Sequence, residues 1–323
     1  MLRKVGVCTA SAGSNTWLYA FLLYFESLRH CVGNFGQGLA WACAEERIKC
    51  TVVAPSAAPE SKLAEIARRG ASIIKVPYSE WWEVIESHEC PQAPEGAFFI
   101  HPGAENSVLA GNATIALEIC EDLPDVDCIV VPYGSGALCT GVACGVRALG
   151  HNCRVLAAEP KTAAPFAASK IEGKAIRAKD WRSSFVDGCG GKSVLEEVWH
   201  VAEKTVDGGC AVPLPAVAQA IKVLCERNKI VAEGAGACGV AAAMTGMCGS
   251  QAKKIVCVVS GGGLDTDKLV HILQGKGVPP PGHSDASKSL RQFQPRFAGA
   301  LLLALGLGLG IGIWCSGGVK KRN

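Results

Sequence analysis

The chain has 323 residues, of which 49% are hydrophobic and 19% charged, with a formal net charge of +3. That is enough apolar material for one large domain or two modest ones, and the sparse, nearly balanced charge leaves no basic surface suited to nucleic acid. Seventeen cysteines are scattered without one C-x-x-C pair, and several sit inside apolar runs such as Val256-Cys257-Val258. They read as buried, reduced thiols rather than as a zinc site or a disulfide framework.

In chain order, Val5-Gly6-Val7-Cys8 is apolar from the outset and reads as a buried strand. So abrupt a beginning suggests that an upstream segment is missing. Ile48–Val53 is a strand closed by Pro55, residues 61–69 a helix ended by Gly70, and Ser72–Val76 a strand. Residues 80–87 read as a helix, 98–100 as a short strand, and 110–121 as a helix. Cys128–Val131 is an unbroken apolar strand running into Gly134, followed by a helix over 137–149 and a strand over 154–158. Helices over 217–228 and 237–247 precede a buried strand, 254–259, that stops at Ser260-Gly261-Gly262-Gly263. Apolar strands alternating with helices point to parallel α/β architecture, with ligands beyond the carboxyl ends of the strands.

Two segments break this rhythm. Residues 14–33 carry an aromatic and leucine cluster, expected to bulge out or to form an extra helix; a lid over the substrate is the alternative. Residues 277–296 form a Pro/Ser-rich linker into 297–315, a stretch of nineteen residues without a charge, followed by Lys320-Lys321-Arg322. Its length suits a bilayer-spanning helix, and glycines four apart such as Gly306 and Gly310 suit close helix pairing in lipid. The layout is that of a tail anchor, with the body cytosolic.

Three constellations carry chemistry. Gly134-Ser135-Gly136-Ala137-Leu138 lies between a strand and a helix, where backbone N–H groups and the helix dipole can cradle a phosphate; an ordinary βα turn would look the same. Ser260 follows the last strand, where its hydroxyl can face a heterocycle nitrogen or cap a helix. With residues 14–33 removed, Thr9-Ala10-Ser11-Ala12-Gly13 joins Asn34-Phe35-Gly36-Gln37-Gly38. The joined string resembles the S-x-G-N loop of pyridoxal-phosphate (PLP) enzymes related to threonine dehydratase, the tryptophan-synthase-β or fold type II family.

That resemblance covers Val5 to about Leu273, apart from the insert, and implies two parallel-sheet, three-layer domains. Residues 5–123 would form the smaller domain and 124–276 the larger, PLP-binding one. It implies PLP as cofactor, its phosphate on Gly134, Ser135, Gly136, Ala137 and Leu138, its ring nitrogen facing Ser260 and its ring hydroxyl beside Asn34. Ser11, Ala12, Gly13 and Asn34 would wrap the carboxylate of a small amino-acid substrate. Ser184-Phe185-Val186-Asp187-Gly188 is similar to the family's A-D-G turn. Glu233 matches an acidic position near the active site, and Glu159 a carboxylate that binds a cation in some members, although Pro165 stands where those members carry a second acid. Ala12 stands where racemase-type members place a serine, which favours a dehydratase.

The implied reaction is β-elimination, converting L-serine or L-threonine to a 2-oxo acid and ammonia. Two departures bear on it. The family's cofactor lysine lies upstream of the S-x-G-N loop, and Lys4 matches neither its position nor its context, so no catalytic residue is assigned. The insert also splits the loop. A missed first exon and a retained intron would account for both. A non-catalytic PLP- or amino-acid-binding relative and a membrane-tethered interaction protein are the alternatives, and a homodimer is left open.

Overall fold

The computed structural model describes residues 6–8, 27–30, 34–56, 58, 60–91, 94 and 98–280, all within one compact unit, Met1–Ser284. Two parallel sheets organise it. The first has strand order β1-β9-β6-β7-β8, made of Gly6–Cys8 (β1), Cys128–Pro132 (β6), Arg154–Pro160 (β7), Gly208–Val212 (β8) and Ile255–Val258 (β9). The second has order β4-β3-β2-β5, from Ser27–His30 (β2), Cys50–Pro55 (β3), Ser72–Val76 (β4) and Phe98–Ile100 (β5). Every pair of neighbouring strands is parallel.

The helices are Asn34–Glu45 (α1), Glu60–Arg68 (α2), Tyr78–Ser87 (α3), Asn106–Asp122 (α4), Ala137–Ala148 (α5), Pro165–Glu172 (α6), Glu196–Thr205 (α7), Leu214–Val223 (α8), Gly234–Met244 (α9) and Thr266–Leu273 (α10). A π-helical turn, Leu224–Asn228, extends α8. The five-stranded sheet is covered on both faces, because alternate residues of one strand point to opposite sides. Cys128 and Val130 pack with Val217, Ile221 and Ala241 of α8 and α9. Ile129 and Val131 pack with Ile115, Val142 and Val198 of α4, α5 and α7. All five residues of β6 are therefore buried, and truncating Ile129 to alanine would cost about 2–5 kcal/mol. The four-stranded sheet packs Cys50 and Val52 against Leu39 and Cys43 of α1 and Ile66 of α2, and turns Val53 toward Trp81 of α3.

Of residues 14–33, expected to bulge out or to form an extra helix, the described part is instead a strand. Ser27–His30 is an inner strand, paired with β3 on one side and β5 on the other, and it leads toward Asn34 at the start of α1. Gly6–Cys8, expected in the smaller domain, pairs instead with β9 in the five-stranded sheet. Lys4 and residues 9–26, which include Ser11, Ala12 and Gly13, lie outside the described residues, as do the linker beyond residue 280 and the apolar stretch 297–315. Among the described residues no helix is long and apolar enough to cross a membrane. Most of the described cysteines are buried.

Candidate active site

A cavity of about 810 Å³ opens where the strands end, lined by Pro55 at the end of β3, Pro132 at the end of β6 and Ser260 after β9. This is where parallel sheets hold ligands, because loops and helix N-termini converge there.

The β6–α5 turn forms one wall, with Gly134, Ser135, Gly136, Ala137 and Leu138 all on the lining. Gly136 has φ +98° and precedes α5 with no side-chain capping bond. The N–H groups of the first turn, together with the helix dipole, thus make a seat for an anion. Ser135 Oγ donates to Pro102 O at 3.0 Å. Behind that turn, buried His101 accepts from the N–H groups of Gly103 (3.0 Å) and Ala104 (2.7 Å) through Nδ1. Its proton therefore sits on Nε2, 2.9 Å from Ile85 O. Burial pushes the imidazole down to about 4, so it is neutral and keeps this tautomer near neutral pH.

Across the cavity, Asn34 Nδ2 donates to Glu233 Oε1 at 2.8 Å and to Ser260 O at 3.0 Å. The amide is pressed so closely on Gly261 that any Cβ there would collide with it. Glu233 is 1% exposed and takes a second partner, Lys62, whose Nζ lies 3.1 Å from Oε2 and 2.9 Å from Asp187 Oδ1. A further wall is aromatic: the Tyr78 ring stacks 5.5 Å from Trp181 and 6.4 Å from Trp82, with the Lys192 ammonium 4.8 Å above it.

Asn34, the 134–138 turn and Ser260 thus line one cavity, and Glu233 adjoins it through Asn34. Glu159 is elsewhere. It is wholly buried in β7 and accepts the N–H groups of Phe166 (3.1 Å) and Ala167 (2.9 Å) at the start of α6. Burial pushes it up to about 8 against the pull of those two donors. Among the described residues no group of three or more His, Cys, Asp or Glu side chains is gathered to hold a metal. Sequence reasoning passed over Lys62, His101 and the aromatic wall, and gave Asp187 a place in a turn but no role. Lys62 follows Glu60-Ser61 in the first turn of a helix whose apolar Leu63 and Ile66 account for its packing on the sheet, and nothing local marks the lysine itself as buried.

The residues fit pyridoxal phosphate: an uncapped helix start for the phosphate, a glycine strip that only a side-chain-free backbone can fill, and an asparagine and a serine across from it. The family described as pyridoxal-phosphate dependent enzyme matches residues 29–261, beginning within β2. An L-threonine ammonia-lyase of Thermotoga maritima is 36% identical over 250 residues, 77% of this chain and 61% of that protein. The chain therefore spans less than two thirds of that relative. A serine racemase of Oryza sativa subsp. indica is 34% identical over 251 residues, covering 74% of this chain and 71% of its own. The structure of maize serine racemase superposes with a TM-score of 0.70 at 29% identity, covering 82% of each chain.

Proposed function

Because this chain belongs to the pyridoxal-phosphate-dependent enzyme family, we propose that it is built for the ammonia-lyase branch of it, with L-serine or L-threonine losing water and ending as a 2-oxo acid and ammonia. The observation that carries this reading is the shared cavity wall of Asn34, Gly134–Leu138 and Ser260. The cofactor, when bound, supplies an electron sink for the amino acid's Cα. The chain's own residues do the holding. The start of α5 takes the phosphate, Asn34 is braced between Glu233 and Ser260, and a serine hydroxyl rather than a carboxylate stands after β9. A neutral hydroxyl there would leave the ring nitrogen of a bound cofactor largely unprotonated, so that it would supply a weaker electron sink.

Ala12 supports a lyase over a racemase, since by resemblance it replaces the racemases' serine. The proposal also assigns the stretch 297–315 to a membrane tether, on its length and freedom from charge. Purified chain with pyridoxal phosphate and L-serine or L-threonine should release 2-oxo acid above the rate with free cofactor, without D-serine. Accumulation of D-serine would favour a racemase. Tight cofactor binding with no product would favour a non-catalytic relative.

A further inference from the structure

Lys62 is 2% exposed, yet it carries an ammonium into the cavity wall. Burial by itself pulls that ammonium toward its neutral form, but Glu233 and Asp187 together outweigh the burial and raise its pKa. Lys62 belongs to α2, which packs on the four-stranded sheet. Its two acids come from the other layer: Asp187 from the loop before α7, and Glu233 from the residue preceding α9. Glu233 divides its oxygens, Oε2 to Lys62 and Oε1 to Asn34. One carboxylate therefore connects a buried lysine to an amide on the cavity lining. Gly188 permits this, since a Cβ there would sit 3.0 Å from Glu233 Oε1.

We propose that Lys62 is a positioning residue for the cofactor: it fixes the Glu233 carboxylate, and through it the Asn34 amide, while tying α2 to the opposite wall of the cavity. This rests on the reading of the cavity as a pyridoxal-phosphate site. No bond forms or breaks at Lys62. Its ammonium is already held by two carboxylates, and a protonated amine has no lone pair with which to attack an aldehyde.

The test titrates the full-length chain with pyridoxal phosphate and follows tryptophan fluorescence, for which Trp41, Trp81, Trp82 and Trp181 on the cavity lining are reporters. The wild-type chain is compared with Lys62→Met, Lys62→Arg, Glu233→Ala and the Lys62→Met/Glu233→Ala double variant, each with its melting temperature recorded without cofactor. Lys62→Met should weaken binding at least tenfold, and Lys62→Arg, which restores the charge, should recover most of that loss. The double variant should bind no worse than the weaker single one, because both act through one carboxylate. If Lys62→Met does not fold, Lys62→Gln replaces it with the same expectations. Wild-type affinity in the neutral variant overturns the proposal, as do losses that multiply in the double variant. A wild-type chain that fails to bind the cofactor overturns the cofactor reading and this inference with it; binding that ignores Lys62 overturns the inference alone.

Discussion

Gly136 and Tyr133 stand so close that a Cβ on the glycine would lie 2.6 Å from the tyrosine hydroxyl, and 2.7 Å from Val198 Cγ1. The glycine also has φ +98°. Gly136→Ala must therefore adopt a left-handed backbone and displace a buried ring, at a cost of about 2–4 kcal/mol. A lower melting temperature should accompany at least a tenfold loss of cofactor affinity, because the start of α5 moves. Unchanged affinity would mean that this turn is not the phosphate seat.

His101 gives the fold a sensitivity to acid. Its imidazole is held down to about 4, while in the unfolded chain it titrates at roughly 6.5. Between these values the unfolded state binds a proton that the folded state refuses, so stability rises with pH across the window and falls as pH drops from about 6.5 toward 4. Thermal melts of His101→Asn, whose side-chain oxygen can replace Nδ1 as acceptor, should be flatter over this range than those of the parent. An equal slope in both would place the charged group elsewhere.

Glu159 has the opposite sign. Burial raises it from 4.5 to about 8, so over that interval the unfolded state gives up a proton that the folded state keeps. Its contribution is complete below 4.5 and is lost as pH rises through about 8. Glu159→Gln should remove this alkaline decline, read as the difference between variant and parent melting temperatures at pH 5 and pH 8.5. A parent curve that is no steeper than the variant's would show that Glu159 is ionised in the folded chain.

Much of the parallel architecture is legible in the sequence, for a physical reason. Strands buried on both faces leave continuous apolar runs, and Cys128–Val131 and Ile255–Val258 could hardly be anything else. Other elements carry no such mark. Gly208–Val212 begins with two glycines, and Gly209 is needed because a Cβ would sit 2.6 Å from Ala167 Cα of α6, a packing demand invisible in a local window. Ser27–His30 is a strand only because β3 and β5 flank it. The cavity followed the same division. Asn34, Gly134–Leu138 and Ser260 sit at strand ends or in small-residue turns and could be picked out, whereas Lys62 acquires its role from acids 125 and 171 positions away in the chain.

The tether has a separate test. Expressed at full length in cells, the chain should stay with membranes through alkaline carbonate extraction, and truncation after Arg296 should release it. Recovery of both forms in the supernatant would remove the tether from the proposal.

The central claim is that the cavity above β6 and β9 is a pyridoxal-phosphate site whose phosphate rests on the N-terminus of α5. Equilibrium binding of pyridoxal phosphate and of pyridoxal to the same purified chain tests this most directly. Two charge-assisted hydrogen bonds from first-turn N–H groups, at about 1.5 kcal/mol each, correspond to roughly a hundredfold preference for the phosphorylated form. A dissociation constant at least that much lower for pyridoxal phosphate is the predicted result; equal affinity for the two would contradict it.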